Sequence, residues 1–145
     1  MLSTTVRRVP DHTDPEVNAR ILDDTARRVL HFAANRGGID RRLRELDREW
    51  DIERLLEANA AAFAFLGIAL GTVADRRWLR LSVVVTAFLF QHAVQGWCPP
   101  IAVLRRLGVR TAREIEVERI ALKALRGDFD DVGDDPNRAL QAAIL

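Results

Sequence analysis

Ala58 to Ala74 contains no charged residue. After Asp75-Arg76-Arg77, the stretch Trp78 to Val94 is apolar again, broken chiefly by Arg80, Gln91 and His92. No other feature constrains the fold so strongly. Two apolar runs joined by so short a link read as two helices lying side by side. The first run is short for a membrane span of about 20 residues, but Leu55 and Leu56 lengthen it, and the side chains of Arg54 and Glu57 can reach back to an interface. In the second run, Trp78 and Trp97 bracket about 28 Å of continuous helix, close to the hydrocarbon thickness, and tryptophan favours both membrane interfaces. These two are the expected interfacial anchors. Ala60, Ala64, Gly67 and Gly71 recur along one side of the first run, and Gly67-x-x-x-Gly71 is the spacing that lets membrane helices approach closely. The short link favours packing of the second helix there over dimerisation.

The averages hide this organisation. The 145 residues carry 22 basic and 21 acidic side chains, for a net charge of +1. The charge is concentrated in Met1–Glu57 and Arg105–Leu145. The near-neutral total offers nucleic acid nothing to bind. Arg41, Arg42, Arg44, Arg48 and Arg54 precede the hairpin and Arg105, Arg106, Arg110 and Arg113 follow it. The turn holds Arg76, Arg77 and Arg80. The richer side stays in the cytoplasm, so both termini are expected there. No apolar run follows Arg7-Arg8, which removes the signature of a cleavable signal peptide.

The flanks divide the chain into residues 1–50, 51–104 and 105–145. Met1 to His12 reads as a frayed tail. Thr13-Asp14-Pro15-Glu16 opens a helix, with Thr13 as cap, Glu16 three residues on and Pro15 where its missing N–H costs nothing. Ala19, Leu22, Ala26, Val29 and Ala33 form its apolar stripe, and Gly37-Gly38 stop it. Ile39, Leu43, Leu46 and Trp50 form a second stripe, on a helix that either lies in the headgroups or packs on the first. Asp51 caps the helix that enters the first apolar run. Ile101 to Leu107 is a short helix closed by Gly108. Thr111-Ala112-Arg113-Glu114 caps another, running to Arg126 before Gly127. Asp128 to Asp135 fails the EF-hand pattern, because Val132 stands where an oxygen ligand is needed and Ala139 where the closing Glu belongs. It reads as a solvated acidic linker, and Asp135-Pro136 starts a last helix through Leu145. The fold class is therefore all-α: a two-helix transmembrane hairpin flanked by amphipathic cytoplasmic helices.

Little in the chain points to chemistry. Cys98 is the only cysteine, which excludes an intrachain disulfide, and His12, His31 and His92 do not fall at metal-ligand spacing. No catalytic, metal or cofactor constellation is present, so no cofactor is expected. Cys98 can serve as a small buried hydrophobe beside Gly96 and Pro99-Pro100, which end the second helix, or as a redox, sulfur-handling or haem thiol. The negative end of that helix opposes thiolate formation. His92 suits an interhelical or interfacial hydrogen bond better than an ion path, which two helices are too few to enclose.

The run from Phe90 to Gly108, with its step Gly96-Trp97-Cys98-Pro99, resembles the YgaP-type transmembrane domain, a family of small bacterial inner-membrane proteins of unknown function. The resemblance covers the hairpin and its exit, about a third of the chain, and implies a bacterial inner-membrane location. Some members carry a rhodanese domain. This chain has none: Pro99 and Pro100 lack the amides of a sulfurtransferase loop, and the next arginine is Arg105. The expected function is a non-catalytic membrane anchor or accessory subunit, with the lipid bilayer and a homodimer or larger membrane complex as partners. A redox or sulfur-relay accessory using Cys98 and a soluble helical bundle are the alternatives.

Overall fold

A computed structural model describes residues 6–133 and 135–144. The first five residues of the expected tail, Asp134 of the acidic run and Leu145 lie outside the described residues. All regular structure among the described residues is helical: α1 Pro15–Ala34, α2 Ile39–Leu46, α3 Ile52–Val73, α4 Leu79–Gln95, α5 Pro99–Arg106, α6 Ala112–Arg126 and α7 Pro136–Ile144. The chain forms two compact units, each drawn from both sides of a break in sequence: Met1–Ile21 with Trp50–Ala112, and Leu22–Glu49 with Arg113–Leu145.

The first unit holds α3 and α4. Asp51 caps α3 as expected, its Oδ1 accepting the Arg54 N–H at 2.7 Å. Asp75 accepts the Arg77 N–H at 2.8 Å and starts a single 3-10 turn, Arg76–Trp78, that feeds α4. Beneath the hairpin, Val9, Ile52, Leu56, Cys98 and Ile101 form one apolar core, with Leu104 and Val109 packed on it. The N-terminal segment is part of this core, which corrects the frayed-tail expectation for residues 6–12. Val9 is buried, Pro10–His12 is a 3-10 turn, and the Thr13 hydroxyl donates to the Val9 carbonyl at 2.8 Å. Asp14 rather than Thr13 caps α1, its Oδ1 accepting the Glu16 N–H at 2.9 Å. Arg105, one of the arginines that follow the hairpin, is buried. It donates to Asn18 Oδ1 at 2.8 Å and to the Val109 carbonyl at 3.1 Å, so its charge holds the start of α1 to the end of α5.

The second unit buries Phe32, Ile39, Leu43, Leu46, Ile115 and Leu122 in one cluster. Of the two readings of the α2 stripe, packing is the one observed. α2 ends at Leu46, four residues short of Trp50, which is exposed and lies under the Arg54 guanidinium at 4.3 Å. The stripe of α1 also needs correction. Val17, Ile21, Thr25 and Phe32 are the buried positions, while Ala19, Leu22, Ala26 and Ala33 are exposed. Both faces carry residues at helical spacing, and the one with Val17, Ile21 and Phe32 is the one that packs inward. α1 stops at Ala34, ahead of Gly37-Gly38, neither of which takes a positive φ. Gly38 is needed for space: a Cβ there would stand 2.9 Å from the Phe32 ring.

Candidate functional site

The residues singled out in the sequence gather at the hairpin and its base. Gly67 and Gly71 are buried on α3 against α4, and as numbering rises on one helix it falls on the other. A Cβ on Gly67 would meet Ser82 Oγ at 2.5 Å and the Ser82 N and Trp78 carbonyl at 3.0 Å. One on Gly71 would meet Leu79 Cδ2 at 2.6 Å. The small-residue face therefore packs the hairpin against itself. Ser82 donates to the Ala64 carbonyl at 2.8 Å across the same contact. Trp78 stands exposed at the turn end of α4, and Trp97 at the other end. Trp97 is not on the helix. α4 ends at Gln95, so the two rings do not bracket one unbroken helix.

The break is Gly96. Its φ of +78° is left-handed, and its N–H closes α4 on the His92 carbonyl at 2.7 Å. A side chain is excluded twice over, by this φ and by the backbone of Arg8, whose carbonyl carbon would lie 2.8 Å from an added Cβ. Cys98 follows in extended backbone as the cap of α5, and Pro99-Pro100 start that helix. The prolines thus open a helix as well as follow one. The same change of direction alters the dipole argument for Cys98, which sits at the positive end of α5. Burial outweighs it. Cys98 is 3% exposed within the apolar core, a setting that disfavours a thiolate.

Beside Cys98 a cleft of about 360 Å³ opens between the hairpin and α5. Phe63 of α3, Phe88 and Leu89 of α4, and Pro100 and Val103 of α5 line it, with Asn59 its one polar member besides Cys98. The Asn59 amide is already committed to the Leu55 carbonyl at 2.7 Å. The walls offer apolar contact and no acid–base pair.

Two polar groupings were not assembled by the sequence reading, although His92 was singled out for a hydrogen bond. At the hairpin base, His92 is buried and neither ring nitrogen has a hydrogen-bond partner among the described residues. Arg8 Nε and Glu53 Oε2 are buried without partners too, and Arg8 lies 3.9 Å from Glu53. In the second unit, Glu118 is 0% exposed on α6. Its Oε1 accepts from Arg42 Nε at 2.8 Å and its Oε2 from Arg28 Nε at 3.1 Å. The hydrogen bond to Glu118 is the main cause that holds the Arg42 guanidinium above its ordinary pKa, with Glu45 adding to it. One signal was legible: Glu118 falls one turn after Ile115 and one before Leu122, on the buried side of α6. No three His, Cys, Asp or Glu side chains converge to hold a metal among the described residues. The chain matches no family model, no curated protein and no solved structure.

Proposed function

We propose that α3 and α4 cross a bilayer as a hairpin, and that the chain serves as a non-catalytic membrane anchor or accessory subunit with both charged flanks in the cytoplasm. One observation carries this reading: the apolar side chains of the hairpin point outward. Phe65 is 74% exposed, Val73 83% and Phe90 71%. α3 is long and apolar enough to span, yet only 11% of its most apolar window is buried. A core helix of a soluble bundle with that composition would be buried on most of its circumference. At 22 residues α3 is about 33 Å long. α4 has 17 residues and relies on the Arg76–Trp78 turn to lengthen it; with that turn it passes the same test only together with α5, across a 72° bend. The polar side chains along the two helices suit an apolar solvent. Asn59, Thr72, Ser82 and Thr86 all donate to backbone carbonyls of the hairpin. The Gly96-Trp97-Cys98-Pro99 step adds the family resemblance, and the arginine asymmetry sets the orientation. The burial of Cys98 favours packing over sulfur relay.

The test is extraction. Expressed in bacteria, the chain is expected in the membrane fraction, resistant to alkaline carbonate and released by detergent. A single cysteine at Arg76 is expected to react with an impermeant thiol reagent from outside the inner membrane, and one at Arg138 only after lysis. Recovery in the soluble fraction without detergent would overturn the reading.

A further inference from the structure

Ala19, Leu22, Ala26, Leu30 and Ala33 lie within about 40° of one line along α1 at 3.6 residues per turn. All five are exposed, Leu22 at 63% and Leu30 at 69%. α1 thus has two apolar faces, and the one that is regular in sequence is left uncovered. The charges beside it indicate what covers it. Asp23 borders the face and has no ion-pair partner among the described residues. Arg27 lies one turn further along the same border, paired only with its neighbour Asp24. Two copies of this helix laid face to face and antiparallel about Ala26 bring Leu22 against Leu30 and each Asp23 alongside the other copy's Arg27. A parallel pair sets Asp23 opposite the border of Asn18 and Thr25 instead. A lipid surface is the poorer match. The face has no aromatic residue, and an unpaired carboxylate on its border repels anionic headgroups. We propose that α1 is a homodimer interface: a second copy of this chain packs antiparallel on the Leu22–Ala26–Leu30 face and is registered by two symmetric Asp23–Arg27 ion pairs. The alternating alanines allow close approach of the two backbones, and the leucines supply the apolar burial. The proposal does not depend on insertion of the hairpin.

The experiment uses the full chain in detergent micelles. Ala26→Cys is expected to form a disulfide-linked dimer under mild oxidation, while Ala19→Cys, which faces Ala33 of the other copy, is not. Leu22→Arg with Leu30→Arg is expected to weaken association by at least about tenfold. Both positions are exposed, so an unchanged circular dichroism spectrum verifies folding. Asp23→Arg and Arg27→Asp are each expected to weaken the dimer, and the two together to restore it. Three results would overturn the proposal: a double swap that restores nothing, efficient self-linking of Ala19→Cys, or a Leu22→Arg, Leu30→Arg chain that keeps its oligomeric state.

Discussion

In the hairpin, the residues between the helices are small. Gly67, Gly71 and Ser82 fill the contact, while Phe65, Val83 and Phe90 face away from it. In the unit built from Leu22–Glu49 and Arg113–Leu145 the order is reversed. Phe32, Leu43 and Leu122 are inside, and arginines and carboxylates cover most of the outside, with Glu118 and Lys123 the buried charges among the described residues. On the proposed membrane reading, the difference reflects two solvents. Where water surrounds an element, burial of large apolar side chains drives packing, and a buried charge must be paired. Where lipid surrounds it, an apolar side chain gains nothing by turning inward, and close backbone approach with satisfied hydrogen bonds holds helices together.

The sharpest way to break the second arrangement is Glu118→Ala. It leaves Arg28 and Arg42 facing each other in the core of that unit, and is expected to cost about 3 kcal/mol, the lower end for breaking a buried pair because both arginines keep some access to water. Thermal or denaturant unfolding of the detergent-solubilised chain measures it. Replacing Glu118, Arg28 and Arg42 together by methionine is expected to return most of that loss. If the triple change is as damaging as Glu118→Ala, the triad does more than neutralise itself.

The corresponding break in the hairpin is Gly67→Val. Its side chain would meet backbone atoms of Trp78 and Ser82, which cannot give as a flexible side chain can, and about 1–3 kcal/mol of overpacking is expected. The readout is the yield of a disulfide engineered between α3 and α4, which falls as the helices are driven apart. An undiminished yield would mean that the close approach of Gly67 is not required.

Cys98 gives a smaller and more diagnostic effect. In the native chain it is expected to react with a thiol reagent at least about tenfold more slowly than in denatured chain, because access and ionisation are both suppressed. Fast native labelling would revive the sulfur-relay alternative. The smallest effect is at the end of α6, where Arg126 donates to Asp128 and Asp40. Arg126 holds Asp128 below the usual carboxylate range. A native pKa below the unfolded value of about 3.9 means stability that is present above that value and lost as pH falls through the native one. Asp128→Ala is therefore expected to flatten the acid limb of stability versus pH, by no more than about 1 kcal/mol for a pair whose arginine is exposed. An unaltered limb would show that the pair contributes nothing.

The local devices were legible because each depends on a few neighbouring residues. Asp51 caps its helix, Gly96, Gly108 and Gly127 turn left-handed where a helix stops, and Gly67 and Gly71 meet the second helix. The site at the hairpin base was legible only in part. Cys98 and His92 stood out, but nothing in their surroundings in sequence pointed to Arg8, which lies against Gly96, or to Val9, which packs in one core with Cys98.

By itself, then, the sequence determined seven helical segments, the Asp51 cap, the hairpin and the charge asymmetry across it, since periodicity, capping and net apolarity act over a few turns. Tertiary structure alone decided which face of α1 turned inward, that Val9 closes the base of the hairpin, that Arg105 is a buried tie and that Glu118 sits between two arginines. Both faces of α1 fit a helical period. The choice between them depended on which neighbours supplied a hollow for Phe32, and two of these, Ile115 and Leu122, come from a distant part of the chain.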